Sequence, residues 1–194
     1  MSDYILSCES TVDLTWEHLE RRGISYICYS YELDGVSFRD DIWRTVSSGA
    51  FYRRMAEGAE TKTSQINAVE YEKYFSGFLR EGKDILHLCL FSGITGTINS
   101  ARAAAETLRE AYPARKICLV DSLAASSGFG LLVDKLADLR DSSMELETLA
   151  QWAEENKRRV HHWFFPPTSA FTSRADESPK PPGPSAGCLA SVRC

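Results

Sequence analysis

The chain of 194 residues is 43% hydrophobic and 25% charged, a balance that excludes a polypeptide disordered throughout and suits one ordinary domain or a small two-lobed one. A formal net charge of -5, with ENKRRVHH as the only basic cluster, excludes a duplex-DNA binder, since no stripe of Lys and Arg is present to neutralise phosphates. No apolar run approaches the roughly 18 residues of a membrane span, and the start MSDYILSCES lacks the features of a secretory leader, so a soluble cytoplasmic protein without integral membrane association is expected.

Short β-branched or aromatic runs alternate with longer amphipathic ones. YILSC (4–8), SYICYSYEL (25–33), DILHLCLF (84–91), KICLVDS (116–122) and VHHWFF (160–165) read as strands. Between them VDLTWEHLERRG, INAVEYEKYFSGFLREG, GTINSARAAAETLREAYP, GFGLLVDKLADLRDSS and MELETLAQWAEENKRR repeat apolar residues near a period of 3.6 and read as helices. The order predicts an α/β fold over residues 1–165, a mainly parallel sheet flanked by helices. Ligands of such sheets lie at the carboxyl ends of the strands.

The loops at those ends carry unusual chemistry. CEST (Glu9, Ser10, Thr11) follows the first strand, FSGITGT the third and DSLAASSGFG the fourth, while TKTSQ (61–65) precedes a helix expected near Ile66. Each puts small hydroxyls or glycines at a helix N-terminus, where unpaired N–H groups and the dipole favour an anion. An N-cap explains any one of them, but not four such clusters on one sheet edge. The absence of a P-loop lysine and of GxGxxG argues against a nucleoside triphosphate and for a carboxylate held by hydroxyls and backbone N–H groups. A small-anion or phosphate-binding module is the alternative. An enzyme with a Ser or Thr nucleophile is a weaker one, because Ser126 and Ser127 form no GxSxG and no base is placed for them.

Other residues carry less. Cys8, Cys28, Cys89 and Cys118 sit in apolar runs without metal-ligand spacing and read as buried thiols, and no metal or cofactor is expected. His87 reads as a satisfied core histidine. His161 and His162, adjacent on a strand, would point to opposite faces and share no metal. The pair Asp40 and Asp41 shows no perturbing partner that would make it acid/base machinery.

CESTVDL, TKTSQINAVEY, SGITGTINSA and VDSLAASSGFG occur in the order and approximate spacing of the DegV family of bacterial fatty-acid-binding proteins, which the chain resembles over residues 4–165. The resemblance implies a two-lobed, non-enzymatic protein holding one long-chain fatty acid, with the carboxylate at the loops of the first lobe and the acyl chain in an apolar tunnel. Some members present the bound acid to a partner fatty acid kinase. Thr63, Ser64 and Gln65 match the family's TSQ, with Thr63 the implied carboxylate donor. Ser92, Gly93, Thr95, Gly96 and Thr97 match its SSxxSGT loop, with Ser92 or Thr95 the second donor. Asp121, Ser122 and Ser126 match the DS and SSG positions that follow. The chain departs from the pattern at Phe91 and Thr95, where the family has serines, and at Cys8 and Glu9, where it has Thr and Asp.

Residues 166–194 differ in kind. Six of the seven prolines fall there, with five serines and almost no aliphatic residues, which reads as an irregular Pro/Ser-rich tail. The resemblance implies a GGR motif and a second lobe at this point. Forming codons across residue junctions from Arg174 onward, one consistent choice gives GGRVSKTAGAVGGLLGICPL, similar to that continuation. The tail is therefore expected to be an out-of-frame copy of the second lobe, with the shift near Pro166 and with acyl binding impaired in this truncated form. Nucleotide sequencing across codons 160 to 175 tests this, and a single unambiguous frame without shifted similarity sinks it.

Overall fold

A computed structural model describes residues 4–163. In chain order its elements are β1 (Tyr4–Glu9), α1 (Trp16–Arg21), β2 (Ile24–Ile27), β3 (Ser30–Leu33), β4 (Val36–Arg39), α2 (Ser48–Ala56), β5 (Thr61–Ser64), α3 (Ala68–Arg80), β6 (Asp84–Cys89), α4 (Thr97–Ala111), β7 (Ile117–Asp121), α5 (Ser126–Asp141) and α6 (Leu146–Asn156), with 3-10 turns at Ser10–Val12 and Lys157–Arg159. The chain contacts divide after Val160, and His161–Trp163 carry no strand, so the strand expected at 160–165 is absent from its described part, as is the opposite-face argument for His161 and His162. The tail expected over 166–194 lies outside the described residues.

The main sheet has the order β2-β1-β6-β7 and is parallel throughout. Parallel strands need crossovers and are covered on both faces, which is why β1 and β6 are buried from end to end apart from Ile5 and Asp84. Leu6, Cys8, Leu86 and Leu88 line one face. Ser7, Glu9, His87 and Cys89 line the other, beneath α3, whose Tyr71 and Phe75 rings stand 5.5 and 5.2 Å from His87. Helices α3 and α4 pack on each other, as do α5 and α6. Gly130 brings α5 onto the Ser10–Val12 turn, where an added Cβ would lie 2.4 Å from the Val12 carbonyl oxygen.

The expected strand over 25–33 is two strands in different sheets. After Ile27 the chain leaves the parallel ladder, anchored by the Tyr29 amide donating to Ser10 Oγ at 3.1 Å. It then forms a β3–β4 hairpin whose turn residues Asp34 and Gly35 have φ of 52° and 76°, the left-handed pair that Asp-Gly readily adopts. Strand β5 adds to β3, completing an antiparallel sheet of order β4-β3-β5. TKTSQ thus supplies a strand rather than a helix start. The cap of α3 is Asn67, which accepts from the Glu70 amide at 3.1 Å while Glu70 accepts from the Asn67 amide at 2.9 Å, a reciprocal capping box.

Candidate functional site

Three of the four expected loops do leave the carboxyl edge of the parallel sheet, after β1, β6 and β7. The fourth, with Thr63 and Ser64, belongs to β5, where Thr63 pairs with Tyr31 and Ser64 with Ser30, and both are exposed.

After β6, the Phe91 amide donates to the Ala124 carbonyl at 3.1 Å, and the Ser122 amide to that of Cys89 at 3.1 Å, lacing this loop to the one after β7. Asp121 closes both, accepting from the Ser92 and Leu123 amides at 3.2 Å each. Ser122 Oγ donates to the Ala124 carbonyl at 3.1 Å and accepts from its amide at 3.2 Å, so it is a buried loop clasp without a free proton. The Phe91 ring folds over Gly93, where an added Cβ would lie 2.5 Å from it and the ring would have to shift. An added Cβ on Gly96 would lie 3.3 Å from Gln65 Oε1, so the Gln65 amide stands over Gly96 and brings TKTSQ to the FSGITGT loop. No hydrogen bond joins Thr63 or Ser64 to Ser92 or Thr95 among the described residues.

The N-cap reading fails for the two long helices at this edge. Helix α4 starts from Gly96 and α5 from Ala125, neither with a side-chain cap. Ser126 instead donates from Oγ to Asp13, and its backbone takes a φ of 54°.

The sequence pointed to Glu9 but not to the tyrosines that hold it. Glu9 is fully buried and its carboxylate accepts from Tyr71 at 2.5 Å, from Tyr29 at 3.0 Å and from the Leu90 amide at 2.9 Å. Burial pushes its pKa up, and the hydrogen bonds from Tyr71, the Leu90 amide, Tyr29 and Cys89 oppose that rise. Tyr29 Oη lies 2.7 Å from Thr97 Oγ1, which lies 3.0 Å from Thr95 Oγ1. Tyr71 closes the TKTSQINAVEY motif, but nothing there marks it as a partner of Glu9, and Tyr29 lies in no motif. Ser10, the other candidate after β1, donates to Asp40 at 2.8 Å, and burial raises the Asp40 carboxyl. Asp40 is thus a loop contact. Asp41 caps the next turn, accepting from the Arg44 and Thr45 amides at 3.0 and 3.1 Å.

His87 is only half satisfied. Its Nδ1 lies 2.9 Å from Ser7 Oγ, Nε2 has no partner, and burial depresses its pKa to about 3, so the ring is neutral. Of the four thiols, Cys8 and Cys89 are buried, while Cys28 and Cys118 are half-buried.

Beside these loops lies an open cleft of about 780 Å³. Leu14, Trp16, Ile42, Trp43, Leu90 and Ile94 supply its apolar lining, and Ser10, Thr11, Ser126 and Ser127 supply hydroxyls. Thr11 Oγ1 is buried without a partner. Thr63, Ser64, Ser92 and Thr95 are not in the lining; Ile94 carries the cleft up to Thr95.

The profile of the family described as "Uncharacterised protein, DegV family" matches residues 6–171. The chain belongs to the DegV family. A DegV domain-containing protein of Clostridium perfringens is 32% identical over 164 residues, which are 84% of this chain and 56% of that protein. The chain spans about half the length of the curated relatives it matches. Among solved structures, a DegV family protein from Thermus thermophilus described as fatty-acid binding is 27% identical with a TM-score of 0.69, over 80% of this chain and 53% of that one. A stearic acid-binding protein from Eubacterium ventriosum is 25% identical with a TM-score of 0.71, over 78% and 52%. The α/β fold with its parallel sheet is the fold of these DegV structures. Among the described residues no helix is long and apolar enough to cross a membrane.

Proposed function

We propose that this DegV lobe binds a long-chain fatty acid, with the carboxylate at the meeting point of the 61–65 and 91–97 loops and the acyl chain along the apolar lining of the adjoining cleft. The observation that supports the reading is the seating of Gln65 on Gly96, which brings the end of the TKTSQ segment to the loop at the uncapped start of α4. The fatty-acid binding described for the Thermus neighbour and the stearic acid named for the Eubacterium one support the same class of ligand. Thr63, Ser64, Ser92 and Thr95 are the proposed carboxylate contacts. Glu9, Ser10, Thr11, Gln65, Gly93, Gly96, Thr97, Asp121, Ser122 and Ser126 hold the loops that carry them.

Most of the affinity is expected from the acyl chain, at about 0.8 kcal/mol per buried CH₂. One lobe supplies the carboxylate donors and one wall of a binding site, so an isolated lobe grips the acyl chain less tightly than a two-lobed relative. The proposed role is carriage rather than catalysis, and presentation of the bound acid to a fatty acid kinase fits a carboxylate held at an exposed loop. The test is loading of the full chain with palmitate, followed by intrinsic fluorescence of Trp16 and Trp43. Saturable binding that is lost in Thr63→Val/Ser92→Ala, with the circular dichroism spectrum unchanged, is the expected result. Equal binding of phosphate or acetate favours the small-anion reading instead.

A further inference from the structure

The buried carboxylate of Glu9 is connected to the proposed ligand loop by an unbroken run of hydroxyls, and the direction of the hydrogens along it is fixed at one end. An ionised carboxylate only accepts. The single hydroxyl hydrogen of Tyr29 is therefore spent on Glu9 Oε2, 3.0 Å away. The 2.7 Å contact between Tyr29 and Thr97 must then use the hydrogen of Thr97, and the 3.0 Å contact between Thr97 and Thr95 must use that of Thr95. Thr95 consequently turns its hydrogen inward and offers only lone pairs to whatever approaches from outside, an arrangement that repels a carboxylate.

We propose that Glu9 is a positioning residue that sets which way Thr95 offers its hydroxyl, so that a carboxylate is accepted at Thr95 together with one proton from solvent. The inference rests on the fatty-acid reading above. With a proton on Oε2, Glu9 donates to Tyr29, Tyr29 to Thr97, Thr97 to Thr95, and Thr95 to the ligand. Each hydrogen bond is kept with its polarity reversed, and no heavy atom has to move. One proton enters at Glu9 and one hydrogen is presented at Thr95.

The groups around Glu9 leave it as the one that exchanges the proton. Tyr29 reaches it from the segment between β2 and β3, Tyr71 from α3, Cys89 and His87 stand on β6, and Cys8 is its neighbour on β1. Burial pushes the two phenols and both thiols up and holds His87 neutral, so all five stay uncharged between about pH 5 and 9. Thr63 and Ser92 lie outside the chain of hydroxyls and donate at any pH, so the lobe can bind a fatty acid even where this linkage fails.

The test is isothermal titration calorimetry of the full chain with decanoate at pH 6, 7.5 and 9, each in two buffers of different ionisation heat. Expected are a proton uptake that rises toward one per ligand with pH and an affinity that falls about tenfold per pH unit once Glu9 is ionised. Glu9→Gln cannot take up a proton and should show no uptake and a flat pH profile. Tyr29→Phe cuts the run at its middle and should also lose the uptake, which covers the case in which Glu9→Gln does not fold. Binding by the wild type with no uptake at any of the three pH values, or uptake that persists in Glu9→Gln and Tyr29→Phe, overturns the proposal and leaves the fatty-acid reading standing. Absence of both decanoate and palmitate binding in every form at every pH overturns both.

Discussion

The parallel sheet and the antiparallel one differ in how much they bury. Leu6, Cys8, Ile85, Leu86, Leu88 and Cys89 of β1 and β6 are wholly buried, whereas all four residues of β5 are exposed and Val36 of β4 is 54% exposed. The parallel sheet gains its stability from packing on both faces. The antiparallel sheet depends on its ladder and on a partly exposed aromatic group, in which Tyr31 stacks on Phe38 at 5.5 Å and meets the edge of Phe51 at 5.4 Å. One region is therefore a rigid platform, and the other, which carries Thr63 and Ser64, is held by fewer buried contacts and is free to adjust to a ligand.

Truncating Phe129, fully buried on α5, should give the largest effect on that contrast. Phe129→Ala is expected to cost about 3–5 kcal/mol in urea unfolding. Phe51→Ala, in the aromatic group of the small sheet, should cost about 2 kcal/mol, since its ring meets Tyr31, Trp43 and Tyr52 but stays partly exposed. Equal losses at the two sites would erase the distinction.

The pH dependence of the platform comes next. His87 titrates near 3 in the folded chain and near 6.5 when unfolded, so between those values the unfolded state binds a proton that the folded state refuses. Stability supplied by neutral His87 is present above pH 6.5 and is lost as pH falls through that window, by up to about 1.4 kcal/mol per pH unit. His87→Phe should flatten the slope between pH 6.5 and 5 in denaturant titrations. A wild-type slope retained in the variant would place the sensitivity elsewhere.

Asn67→Ala, where TKTSQ hands over to α3, should have the smallest effect. Loss of the capping box is expected to cost about 1 kcal/mol and to raise amide exchange in the first turn of α3, while β1 and β6 stay protected.

The parallel sheet was legible because burial on both faces writes continuous apolar runs, and YILSC and DILHLCLF are such runs. The antiparallel sheet was not, although one clear signal was there: Asp34-Gly35, a left-handed turn pair between YEL and VSF. The run SYICYSYEL concealed it, since continuous aromatic and β-branched character hides a change of sheet at Cys28 and Tyr29. TKTS has no apolar alternation because it packs neither face, so its strand character comes only from pairing with β3. At the site, the loops after β1, β6 and β7 and their hydroxyls were readable from composition. The Glu9 network was not, because Tyr71 lies 62 residues and Tyr29 20 residues from Glu9 and only the tertiary fold joins them.

The measurement that bears most directly on the fatty-acid reading is native mass spectrometry of the full chain purified from cells, without added lipid. A population carrying one C14 to C18 acid is expected, and it should be absent from Thr63→Val/Ser92→Ala. A protein that emerges empty or phosphate-loaded, and stays so after incubation with palmitate, would contradict it.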